Sequence, residues 1–432
     1  MKKLTENLVF LNLKHQTNSE QENKKHKKDK NKGKDKRVKY ISKSLNLLND
    51  KLLAKSIKSK PYRNINVPTV FSIIENPKET LKLIKQVATY SRIGVKVKGL
   101  SINHFNTTSI DIAAESVLGL TIKEMDKEIK SRNRKLKITG HYPKDPYIKR
   151  FIKAIGIIKN LEIKHEYLSK EEEQDLKTFN MRNSQFQQKD NIDQSDYKEK
   201  TVTEFVDYIN SCLVVNGREL TSDAISLLAD YTGEIIGNVE DHTDLNDWSI
   251  VGYLDNNHEA HACEITIFNF GNTMSSTLKS LPVDHYTKKT ISPYIELHSK
   301  SGWFSKDWNE DDLLTLIALQ GDISSKNTDE NMDRGQGTVE MIEFFQRMHR
   351  ECIKADKSCA RMAILSGSTH ILFDGTYEMS LNNDRKIIAF NKDNDLNNMP
   401  DNKYVTNLDN IFFPGTIISI RFPLQDTQTQ EA

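Results

Sequence analysis

The most constraining feature of the chain is the run LLADYTGEIIGNVEDHT at residues 227–243. Within it Glu234, Asn238 and His242 stand four residues apart. In an α-helix a step of four overshoots one turn by about 40°, so the three line one edge over roughly 12 Å. Leu228, Tyr231, Ile235 and Val239 recur at helical spacing beside that edge and form an apolar stripe. Such a helix must lie on a core while holding an acid, an amide and a base at the core's rim. A carboxylate there suits proton transfer from water, an amide oxygen suits a hard cation such as Mg2+, and an imidazole suits phosphate. The plainer alternative is an amphipathic helix with a polar rim, so the flanking segments have to decide.

Those segments read as alternating strands and helices. Thr201 with Glu204 fits a capping box, opening a helix whose buried stripe is Phe205, Ile209, Cys212 and Leu213. WSIVGYL at 248–254 and AHACEITIFNF at 260–270 flank an Asp-Asn turn, which predicts a β-hairpin. Residues 272–333 read as a long polar connection, with a short helix at Leu313, Leu316, Ile317 and Leu319 after Asn309. A connection of that length inside a domain is usually functional, as a lid is. It ends at Asp333-Arg334-Gly335-Gln336-Gly337, ahead of a helix marked by Met341, Ile342, Phe345 and Met348. Strands are expected at 359–366, 368–373, 377–381 and 386–390, and the last at 413–423.

The first half of the chain is organised differently. A short helix is expected within 45–57, then a strand at 67–72. Asn76-Pro77 starts a helix with Leu81, Ile84, Val87 and Ala88 inward. Further strands are expected at 93–100, 136–139 and 161–165, and helices at 110–120, 122–129 and 146–159. Residues 62–166 thus read as a small α/β domain. Residues 167–200 are charged and poor in apolar side chains, which suggests a hinge linker with some helix at 169–179. Residues 1–61 read as a poorly ordered basic leader and 425–432 as a polar tail.

Charge is unevenly spread. Lys24 through Lys39 hold ten Lys/Arg against two Asp, a balance of +8 that leaves −6 for the rest of a chain of net charge +2. The tract has no hydrophobic periodicity and should be disordered, either a solubilising tail or a salt-sensitive anchor on nucleic acid. No apolar run reaches the roughly 18 residues of a membrane span, and no secretory leader is visible, so a cytoplasmic protein without membrane contact is expected. Cys212, Cys263, Cys352 and Cys359 form no CxxC pair and read as free thiols. His258, His261 and Cys263 lack a fourth ligand nearby and read as decoration of the hairpin rather than a metal site. No P-loop, Ser-His-Asp elbow or HExxH is present.

Taken in order, the boxes of the second half resemble the nucleotide-binding domain of GHKL ATPases, the superfamily of gyrase, Hsp90, MutL-type proteins and histidine kinases. Glu234, Asn238 and His242 match its E-x3-N-x3-H/K helix. At the D-x-G-x-G box the chain has Asn269-Phe270-Gly271-Asn272-Thr273, so Gly271 matches and Asn269 replaces the acid. Arg334-Gly335-Gln336-Gly337 matches the glycine turn before a helix, and Gly415-Thr416 the start of the terminal strand. The resemblance covers about residues 201–424 and implies an α/β (α+β) fold, a two-layer Bergerat sandwich. It implies ATP and Mg2+ as cofactors, with slow hydrolysis coupled to lid closure and to a regulatory protein or a second copy in a homodimer. Glu234 would activate the attacking water, Asn238 would hold Mg2+, and His242 would meet phosphate or the ion's waters. Asn269, Gly271 and Thr416 would receive the base, and Arg334, Gly335 and Gly337 the phosphates.

Residues 62–166 resemble a divergent STAS domain through GVKVKGLSI, the following turn and SIDIAAESVLGL. In that family an Asp is commonly followed by a phosphorylatable Ser or Thr, whereas here Asp111 precedes Ile112 and Ala113. The pairing of the two resemblances admits a regulatory or defence ATPase of bacterial type, an anti-sigma-type Ser/Thr protein kinase, or a non-catalytic module tethered to nucleic acid.

Overall fold

The computed structural model describes residues 40–49, 60–92, 97–173, 176–183, 194–214, 218–242, 247–256, 262–321, 323, 336–354, 360–382, 385–423 and 430–431. The chain is mixed α/β. Its first unit carries β1 (Tyr62–Asn66), β2 (Val70–Phe71), β3 (Gly99–Asn103), β4 (Ser109–Ile110) and β5 (Lys137–His141). β1, β3 and β5 form a parallel sheet in that order, and β2 pairs with β4. Parallel neighbours need crossovers, supplied by helices Pro77–Arg92 and Ile112–Ser131. Asp111 caps the second, its carboxylate accepting from Ala114 N at 2.8 Å and from Ser72 Oγ at 2.6 Å. Asp145 caps helix Pro146–Ile155, with Pro146 at the first position where its missing N–H costs nothing.

The second unit is built on seven strands. They are β6 (Leu176–Asn183), β8 (Asp247–Asp255), β9 (Ala262–Phe270), β10 (Arg361–Gly367), β11 (Thr369–Phe373), β14 (Val405–Asn407) and β15 (Phe413–Pro423). Their order is β14-β11-β10-β15-β9-β8-β6, and every pairing is antiparallel. Small ladders join β7 (Arg218–Glu219) to β16 (Gln430–Glu431), and β12 (Ser380–Asn382) to β13 (Arg385–Ile387).

Strand alternation gives this sheet two buried faces. Trp248, Ile250, Ile265, Ile267, Ile364 and Ile418 pack with Phe205, Ile209, Leu228, Ile236 and Phe345 from helices Gln194–Val214, Ser222–His242 and Gln336–Lys354. Val251, Tyr253, Phe268, Leu365 and Ile417 pack instead into the core of the first unit. Helix Ile112–Ser131 is the layer between the two sheets, touching β8, β9 and β15. Every residue from 112 to 122 is buried, as a helix covered on all sides requires.

Several expectations need correction. β1 went unread because its polar residues Arg63, Asn64 and Asn66 mask the alternation. Residues 169–179, read as a linker with some helix, hold the short helix Lys170–Glu173 and then enter β6, which pairs with β8 along its length. Its neighbour strand, not its composition, makes it a strand. Residues 161–165 form a turn with a short 3-10 segment at Lys164–Glu166. The helix expected to start at Thr201 starts at Gln194, and Thr201 Oγ1 donates to Tyr197 O inside it at 2.8 Å. The long connection after 272 folds as helices Met274–Lys279, Tyr286–Lys300 and Glu310–Ile317. Residues 24–39 lie outside the described residues. Among the described residues no helix is long and apolar enough to cross a membrane.

Candidate functional site

The site is assembled at one end of the seven-stranded sheet. There the register aligns Trp248 with Asn269, Asn269 with Thr416, Thr416 with Ser366, Ser366 with Thr369 and Thr369 with Asn407. Period-two alternation puts Asn269 on the face of Ile265 and Ile267, and Thr416 on that of Ile418 and Ile420. This is the face covered by helices Ser222–His242 and Gln336–Lys354. The row is polar where the rest of that face is apolar.

Its groups are joined by hydrogen bonds. Asn269 is 4% exposed, and its Oδ1 accepts from Thr416 N at 3.1 Å across 147 residues of sequence. Thr416 Oγ1 lies 2.9 Å from Ser366 Oγ, which itself accepts from Met274 N at 2.9 Å. Gly271 has φ 140° and donates to Pro414 O at 3.1 Å. Gly415 has φ 143°, and a Cβ there would lie 2.0 Å from Asn269 O. Only glycine allows the two strands to meet so closely. Thr273, at the second glycine place of the resembling box, caps helix Met274–Lys279 in a reciprocal capping box with Ser276. Its role is to start a helix, which explains the hydroxyl.

The row continues into a buried carboxylate. Asp312 Oδ1 accepts from Thr369 Oγ1 at 2.7 Å, and both its oxygens accept from Asn407 Nδ2, at 3.0 and 2.8 Å. Burial pushes the Asp312 carboxyl above its ordinary range, against the pull of these donors. Sequence reasoning missed Ser366, Thr369, Asp312 and Asn407. The capping spacing of Asn309 and Asp312 was visible, but the partners from β11 and β14 were not.

Glu234, Asn238 and His242 fall, as expected, in one helix, Ser222–His242, and their side chains lie outside the described residues. Asn238 stands two turns after Tyr231, which is 5% exposed, so the two share a helix edge. The inward stripe is Leu228, Tyr231 and Ile236; the side chains of Ile235 and Val239 lie outside the described residues. His242 is five residues before Asp247, the start of β8, so the helix end is tethered within about 18 Å of that end of the sheet. Tyr231 packs on Phe344, ring centroids 6.5 Å apart, and its hydroxyl accepts from Arg347 at 3.4 Å. Gly337 is buried in the first turn of helix Gln336–Lys354, while Arg334 and Gly335 lie outside the described residues. His258 and His261 lie outside them too, and Cys263 is buried beside Tyr208 and Cys212. Among the described residues no group of three or more His, Cys, Asp or Glu forms a metal centre.

Comparison with protein-family models, with curated proteins and with solved structures finds no match to this chain.

Proposed function

We propose that the chain is a GHKL-type nucleotide-binding protein that binds Mg2+ and a nucleoside triphosphate, hydrolyses it slowly, and couples the bound state to regulatory contacts. The observation that carries this reading is the meeting of Asn269, Gly271 and Thr416 at one sheet end, under the face covered by the helix of Glu234, Asn238 and His242. In this reading the helix box, the Asn269 box and the start of the terminal strand serve one pocket. The closely packed glycine backbone and buried amide fit a flat base.

In this reading Asn238 holds Mg2+ through its carbonyl oxygen, and the ion supplies charge neutralisation at the phosphates. Glu234 orients or deprotonates water, and His242 meets phosphate. Gly337 lies in the first turn of helix Gln336–Lys354, whose positive end suits a phosphate, and the resemblance gives Arg334 and Gly335 the same role. ATP is the nucleotide the resemblance implies.

A kinase acting on its own STAS-like unit fits less well. Asp111 is fully buried, and Ile112, at the phosphoacceptor place, donates its N–H to Glu264 of the large sheet at 2.9 Å. That helix start is packed away from any pocket on the other face. A separate protein substrate, self-association and cytoplasmic residence remain part of the proposal.

Equilibrium titration of Mg2+ with ATP and GTP against wild type, Asn238→Ala and Glu234→Ala tests it. Asn238→Ala should lose binding. Glu234→Ala should bind and turn over at least about a hundredfold more slowly. Wild type that binds neither nucleotide ends the reading. Phosphate release without labelled protein separates ATPase from kinase.

A further inference from the structure

Asn269 has a polar group left over. The Thr416 backbone N–H can only donate, so the side-chain atom facing it at 3.1 Å must be the amide oxygen. The amide nitrogen therefore points elsewhere. It has no hydrogen-bond partner among the described residues, although the residue is 4% exposed. The neighbouring hydroxyl of Ser366 is already engaged by Met274 N, Thr416 Oγ1 and Gly415 O. The unused group of this end of the row is a donor.

We infer that the site selects a nucleotide whose base presents a ring carbonyl at this edge, a 6-oxopurine or a 4-oxopyrimidine, over adenine. The inference rests on the nucleotide-binding reading. Adenine carries an amino donor at C6, which would meet the Asn269 amide donor to donor. Guanine and hypoxanthine carry a carbonyl at C6, and uracil carries one at C4, each an acceptor for that N–H. A carboxylate at position 269 would reverse the preference, because it can accept from Thr416 N and from an amino group together.

The test is equilibrium binding of ATP, GTP, ITP and UTP, each with Mg2+, to the full chain and to Asn269→Asp. The substitution is nearly isosteric and keeps the acceptor for Thr416, and a thermal melt checks that it folds. Wild type should bind at least one carbonyl base about ten- to a hundredfold more tightly than ATP, the usual size of one mismatched polar contact. GTP and ITP binding above UTP assigns the purine, and the reverse order assigns the pyrimidine. Asn269→Asp should shift the ranking toward ATP by a similar factor. Wild type that binds ATP as tightly as the others overturns the inference and leaves the nucleotide site standing. An unchanged ranking in Asn269→Asp overturns the part played by Asn269. Wild type that binds no nucleotide overturns both readings.

Discussion

The two faces of the seven-stranded sheet bury polar groups in opposite ways. The face toward residues 62–166 uses charge. Glu264 pairs with Arg421 at 2.8 Å and accepts from Ile112 N, while Arg421 donates to Ile110 O at 2.7 Å. Arg150 meets Asp255 at 3.0 Å, and Arg182 bridges Asp247 and Glu124 at 3.0 and 3.3 Å. The other face carries the mostly neutral row of Asn269, Thr416, Ser366 and Thr369. Desolvated charges are tolerable only with their partners in place, so they join two surfaces permanently. Neutral amides and hydroxyls can stay partly unmatched, which leaves room for a ligand.

The largest expected effect tests the charged face. Glu264→Ala leaves the half-buried Arg421 without its carboxylate and the buried Ile112 N–H unmet. A loss of about 3–5 kcal/mol is expected in urea unfolding. Replacing Glu264 and Arg421 together by Met should cost much less, since no orphan charge remains. Equal losses would show that packing, not charge, joins the units there.

Next comes pH. His370 is buried with its Nε2 unpartnered, and burial lowers its pKa from 6.5 to about 4. Between those values the unfolded chain takes up a proton that the folded chain does not. Stability is therefore full above about 6.5 and falls as the pH drops toward 4, by about 3 kcal/mol in all. His370→Asn should flatten that window in pH-dependent melts. A slope equal to wild type would move the acid sensitivity to other groups.

The smallest effect on stability tests the neutral face. Gly415→Ala puts a Cβ against Asn269 O at a positive φ. A cost of about 2 kcal/mol is expected, with nucleotide binding weakened further because Asn269 must shift. Unchanged binding would separate this strand junction from the site.

Much of this was legible beforehand, for identifiable reasons. The hairpin of β8 and β9 and the terminal strand Phe413–Pro423 announce themselves by alternation and turn residues. Pro77 and Pro146 mark helix starts because proline suits the first helical turn. β6 was illegible because Leu176–Asn183 is polar, and its strand state comes from pairing with β8. The candidate site divides likewise. Asn269, Gly271 and Thr416 were named from sequence, whereas Ser366 and Asp312 enter only through strands that neighbour them in space.

By itself the sequence determined the local order: which long periodic segments coil into helices, and that Glu234, Asn238 and His242 recur on one helix edge. Helical spacing and side-chain volume suffice for that. Only the tertiary structure decided that β15 enters between β9 and β10, since strand order depends on contacts between distant segments. That insertion sets Thr416 N against Asn269 Oδ1 and commits the acceptor of the amide, leaving its donor unmatched. The polarity of the site was thus a matter of register, which no window along the chain contains.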